Sequence, residues 1–257
     1  GVQTCALPIS PDAEAAAALD EVARGEDPAE RREAIRVLGE LRGDACTEIF
    51  AAVGADLEPA APELVEWMAA AEGHPSDRVR VTLEERRSAF LSSGDAITAW
   101  LMCLEGGDVE RGRAIFTGKS ETACLRCHVV GDDGGSEAGP ALDGVGLRLT
   151  REEILRSVVE PNAQIAAGYE SWLFSLDDGE VLSGRILEET EELVVVETSK
   201  KEVWEIPPGD ITARRRDVSA MPADVSTHLS RAEMRDLVRS EEHTSELQSR
   251  QYLVCRL

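Results

Sequence analysis

Positive charge is scarce in this chain. Only 27 of its 257 residues are Lys or Arg, against 50 Asp and Glu, for a formal net charge of −23. Phosphate backbones are gripped by clustered basic side chains, so this balance argues against nucleic acid as a partner. It suits a well-solvated surface first, and steering toward a basic partner second. Long apolar runs are also missing. None approaches the about 20 residues of a membrane-spanning helix, and no signal peptide opens the chain. The glycine-rich stretch GDDGGSEAGPALDGVG fits neither the phosphate-loop nor the dinucleotide fingerprint. What is present is ordinary globular material: 42% hydrophobic residues and enough length for one large domain or two small ones.

The two ends stand apart. GVQTCALPI can be written as the DNA GGA GTT CAG ACG TGT GCT CTT CCG ATC T, whose reverse complement translates as RSEEHTSEL, the residues at Arg239 to Leu247. That DNA resembles a sequencing-library adapter, so residues 1–9 and 239–257 are expected to be adapter-derived and are set aside from the fold. On this reading 10–238 is a piece of a longer protein and its lack of a signal peptide is uninformative. Cys5, Cys255 and His243 drop out with the ends, leaving Cys46, Cys103, Cys124 and Cys127 with His74, His128 and His228.

Residues 10–104 read as short amphipathic helices. PAERREAIRVLGEL places Ala34, Leu38 and Leu41 on one face with Ile35 beside them, Asp27-Pro28 supplies the start and Gly43 the stop. Ile49, Phe50 and Val53, then Leu64, Val65 and Met68, repeat the pattern, as in a HEAT-like α-solenoid tail. Trp67, Met68 and Trp100 read as core. A new unit begins at LEGGDVERGRAIF, with Asp108 capping a helix to Phe116. TREEILRSVVEP is a helix with Thr150 as N-cap, Glu153 in the capping-box position and Pro161 beyond its end. From about 169 to 212 the period falls to two, predicting an antiparallel β insert of four strands with a hairpin turn at Asp178-Gly179. LSRAEMRDLV begins a last helix with Ser230 as a cap. The fold class is thus mainly α with a β insert.

The chemistry lies in CLRCH, residues 124–128. Three readings compete: covalent haem, half a zinc site, or a redox dithiol. Zinc calls for four ligands and CxxC usually recurs, whereas Cys46 and Cys103 stand alone in helical segments as small apolar residues. A thioredoxin-like dithiol belongs at a strand-to-helix junction of a βαβ unit, and no such pattern is present. Haem attachment needs only two thiols for the two vinyl groups and a histidine for the iron, so the spacing favours haem over the other two.

The ordered set GGDVERGRAIF, CLRCHVVG, GPALDGVG, EPNAQIAAGYE and SAMP resembles a c-type cytochrome family. It is the haem-binding domain at the C-terminal end of large exported bacterial proteins, often after β-propeller and HEAT-like regions. The resemblance covers about 105–238. It implies a cytochrome c domain with haem c (iron) carried on Cys124 and Cys127. His128 would be the proximal ligand, its other nitrogen held by the carbonyl of Pro140 after Gly139, and Met221 in SAMP the second axial ligand. A thioether raises the potential and favours electron transfer over oxygen chemistry. His228 is the rival ligand, and Arg148 is a candidate for countering a haem propionate. The family departs from this chain after the last helix, where it continues with an aromatic-containing turn packing on the first helix.

The implied function is one-electron transfer outside the cytoplasm, in the periplasm or otherwise exported. The partner would be a redox protein or an upstream dehydrogenase domain, with no nucleic acid and no membrane span in this piece. Alternatives are a peroxidase-type haem enzyme with an open iron site, and an interaction module in which the haem is structural.

Overall fold

The computed structural model describes residues 11–131 and 133–241. The chain divides into two compact units, with the boundary along the sequence between Gly106 and Gly107. Among the described residues no helix is long and apolar enough to cross a membrane.

The first unit is helical: α1 Pro11–Ala23, α2 Pro28–Glu40, α3 Asp44–Asp56, α4 Glu63–Ala71 and α5 Asp77–Ser92, then a 3₁₀ segment Ala96–Leu104. Helices two apart in the chain pack together, α1 on α3, α3 on α5 and α2 on α4, so the odd and even helices form two rows. Asp27 starts α2 as its spacing predicts, accepting from the N–H groups of Ala29 and Glu30 at 2.7 and 3.1 Å. Ile35, Leu38, Phe50, Leu64, Trp67 and Met68 fill the core. Trp67 packs on Phe50, with ring centroids 5.6 Å apart, and donates to its carbonyl at 2.7 Å. Two expectations are corrected. Leu41 does not share the buried face, because α2 ends at Glu40 and Leu41 is an extended C-cap, 36% exposed. Gly43 is not the stop of α2 but the N-cap of α3.

The second unit holds α6 Val109–Gly118, a 3₁₀ turn Cys124–Arg126, α7 Val145–Arg148 and α8 Arg151–Val159. A final helix, α9, runs from 231 through 241. The α8 capping box is complete, with Thr150 and Glu153 each bonding the other's backbone. Ser230 and Glu233 repeat the device at the start of α9. Helices α6 and α9 cross in close contact. A Cβ on Gly112 would lie 2.0 Å from the Asp236 carbonyl oxygen, so only glycine fits there. Buried Asp236 accepts from the Asp108 N–H at 2.8 Å and from Arg111 Nε at 2.7 Å. Residues 239–241, part of the segment expected to be adapter-derived, continue α9, and Ser240 and Glu241 are buried.

Between α8 and α9 lies a β sheet, and it has five strands rather than four: β1 Ser171–Leu176, β2 Val181–Glu189, β3 Val194–Thr198, β4 Val203–Ile206 and β5 Ile211–Arg216. All neighbours are antiparallel, in the order β4-β3-β2-β1-β5. The insert therefore runs past 212, to Arg216. The fifth strand escapes sequence reading because ITARRR sits on an edge and is mostly exposed, so no apolar alternation marks it. One face of the sheet buries Phe174, Val194, Val196 and Ile206, with Trp172, Leu182 and Ile186 at its margin. The Asp178-Gly179 turn joins β1 to β2, with Gly179 at φ 91°.

Candidate functional site

The sequence motif folds as one tight turn. Ala123, in the left-handed region at φ 46°, ends the chain's run from α6 and starts the 3₁₀ turn. Cys127 and His128 both donate their N–H groups to the Cys124 carbonyl, at 3.1 and 3.0 Å. This turn carries both thiols and the imidazole on five consecutive residues. Both cysteines are free thiols and, like His128, half-buried.

A second segment lies alongside. Gly139 N–H donates to the Cys127 carbonyl at 2.6 Å and Leu142 N–H to the Val129 carbonyl at 2.9 Å. Between them His128 Nδ1 meets the Pro140 carbonyl oxygen at 2.8 Å. A carbonyl only accepts, so Nδ1 carries the proton and the Nε2 lone pair stays available to a metal. The glycine-rich loop makes this approach possible. A Cβ on Gly139 would sit 2.8 Å from His128 Cε1, and one on Gly135, at φ 117°, would sit 2.0 Å from the His128 carbonyl oxygen. Asp143 Oδ1 takes the Gly131 N–H at 2.7 Å, closing the loop.

Burial holds the His128 imidazole below its ordinary pKa, with the Pro140 hydrogen bond partly offsetting it. Burial also pushes the Cys124 thiol up, Thr122 opposing. Exchange-active dithiols need the reverse, a thiol shifted toward the thiolate. Among the described residues no group of three or more His, Cys, Asp and Glu comes together to hold a metal. Cys46 and Cys103 are buried in the helical unit.

No family model matches the chain. A cytochrome c matches part of it. The cytochrome c of Gibberella zeae is 38% identical over 61 residues, 24% of this chain and 54% of that protein. The chain thus spans about half the length of the curated relative it matches.

The remaining sites expected from the sequence fall as follows. Arg148 is exposed, and its guanidinium donates to the backbone carbonyls of Asp143 and Ala141 at 2.7 and 3.1 Å, bracing the loop after Pro140. Met221 is half-buried in the bend after β5, its N–H donating to Ser219 Oγ at 3.2 Å. Ser219 N–H in turn donates to Asn162 Oδ1 at 2.7 Å. Among the described residues no hydrogen bond joins Met221 to the 124–148 segment. His228 is exposed beside Asp224, at 3.8 Å. Sequence reasoning missed Asp143, Gly135 and Asp236. Asp143 and Gly135 sit in the stretch whose glycine content is the only signal for them, and Asp236 gives none.

Proposed function

We propose that this chain carries a haem c on Cys124 and Cys127 and works as a one-electron carrier. The observation that supports this most is the tautomer of His128: an imidazole next to two thiols, with Nδ1 anchored on Pro140 and Nε2 left basic. The donor set fits the group. Cys124 and Cys127 would hold it through thioether links, each Sγ–H going across one vinyl group, sulfur to one carbon and hydrogen to the other, with no oxidant needed. A bound haem iron supplies the ferric/ferrous couple. His128 and Met221 would be the residues that hold the iron, and the loop 139–143, braced by Arg148, fixes the imidazole plane. The thiol pKa of Cys124 agrees with a group held as S–H until it is linked. The partial likeness to a cytochrome c supports electron transfer as the use of the site.

On this reading the helical unit is a HEAT-like tail and the β sheet an insert within a cytochrome c domain. The electron source is a dehydrogenase, attached or separate, outside the cytoplasm. A peroxidase-type haem enzyme is the rival, and Met221 decides between them. With its sulfur on the iron, the oxidised protein is low-spin, shows the weak near-infrared band of a Met–iron(III) bond, and leaves peroxide at background. Met221→Ala then opens the iron to azide and carbon monoxide and lowers the potential. A high-spin wild type that turns over peroxide, with neither property changed in Met221→Ala, overturns the axial assignment.

A further inference from the structure

In the second unit the segment after α8 and the end of β5 enclose a cleft of about 500 Å³, bordered by 162–165 and 215–218. The arginines of β5 are divided by the pleat. Arg214 and Arg216 lie opposite Phe174 and Trp172, and each guanidinium stacks on the Trp172 ring, at 5.2 and 5.6 Å. Their charges are countered by Glu189 at 2.6 Å and Glu170 at 3.8 Å. Arg215 lies opposite Leu173 and projects from the other face. Among the described residues its guanidinium has no hydrogen bond or ion pair, in a chain where acids outnumber bases almost two to one.

Two amides share the cleft with it. Asn162 uses only Oδ1, on Ser219 N–H, and the Gln164 side chain makes no hydrogen bond among the described residues. The carboxylate on the cleft, Asp217, spends its hydrogen bonds on Ser183 Oγ at 2.6 Å and on Val218 N–H at 2.9 Å, and these, with the charge of Arg215, hold it below the ordinary carboxylate pKa. Ile165 and Val218, the latter 67% exposed, supply apolar wall. The cleft therefore presents one guanidinium that makes no hydrogen bond among the described residues, its charge felt by the neighbouring Asp217 carboxylate, together with two amide groups with donors to spare and a short hydrocarbon surface.

We propose that this cleft binds a small organic carboxylate. The planar fork of Arg215 matches a carboxylate with two parallel hydrogen bonds. The Asn162 and Gln164 amides donate to the remaining lone pairs, and Ile165 and Val218 cover the hydrocarbon. The site is independent of haem attachment, although Asn162 also holds Ser219, two residues before Met221.

The test is calorimetric titration of the full chain at low ionic strength with succinate, and with inorganic phosphate as a second probe. Succinate binds at one site. Arg215→Gln weakens it about tenfold or more, and Arg215→Lys also weakens it, because charge remains but the fork is lost. Arg214→Gln, which lies off the cleft, changes affinity by no more than about twofold. Arg215 is exposed, so its variants should keep the wild-type melting curve, and that curve is the control for folding. Absence of succinate binding, equal losses in Arg214→Gln and Arg215→Gln, or tighter binding of phosphate than of succinate overturns the proposal.

Discussion

His128 Nδ1 sits 2.8 Å from the carbonyl oxygen of Pro140, and Gly139 is the residue that lets it do so. A methyl at 139 would press on the imidazole at Cε1, 2.8 Å away, and on the Cys127 carbonyl at 3.1 Å. Gly139→Ala should therefore cost about 1–3 kcal/mol, the usual range for forced overpacking. Gly118→Ala is the matched control, since a Cβ there meets nothing within 4 Å. Urea unfolding of both variants checks this. Equal stability of the two would mean that the loop yields freely and does not fix the imidazole.

The crossing of α6 and α9 rests on one buried carboxylate. Asp236→Ala strips the Asp108 N–H and the Arg111 guanidinium of their acceptor. Leaving such groups unmet costs about 1–3 kcal/mol. Arg111→Ala, which removes a mostly exposed partner, should cost less. If the order is reversed, the helix contact is held by the ion pair and not by the capped N–H.

Chain length tests the same contact. Ser240 packs against Gly112 and Ser240 Oγ donates to the Leu237 carbonyl at 2.8 Å. A chain ending at Val238 should melt a few degrees below one ending at Glu241, as a loss of about 1 kcal/mol would produce. Identical melting would show that α9 needs nothing beyond 238.

The sequence is legible where local rules act and silent where distant residues meet. Asp27, Thr150 with Glu153, and the Asp178-Gly179 turn could be read because a cap or a turn is settled within four residues. The CLRCH turn and its Pro140 partner were visible through spacing and resemblance, and the structure brings those two together. Asp236 was not, because its partners lie more than 120 residues away and one charge in a helix has no signature. Strand β5 failed for another reason. Its exposed edge position allows three arginines in a row, which erases the period-two pattern.

The helical unit should lose stability in mild acid. His74 is buried, stacks on Phe50 at 5.6 Å, and accepts from Ser76 N–H on Nδ1 at 3.2 Å. Burial, then the charge of Arg42, holds its pKa below the ordinary value, the Leu41 carbonyl opposing. Below about 6.5 the unfolded chain therefore binds the proton more readily than the folded one. Stability falls as pH drops through that value toward the folded pKa. His74→Gln should flatten this slope in denaturation series between about pH 7 and pH 5. An unchanged slope would remove His74 as its source.

Covalent attachment is the measurement that bears most directly on the whole account. The chain is produced together with a c-type cytochrome maturation system and extracted with acid–acetone. The account predicts that haem stays with the protein, that the pyridine spectrum is that of two thioether links, and that the Cys124→Ala, Cys127→Ala double variant yields none. Purified protein that holds zinc, or a Cys124–Cys127 disulfide, and no haem under the same conditions would contradict it.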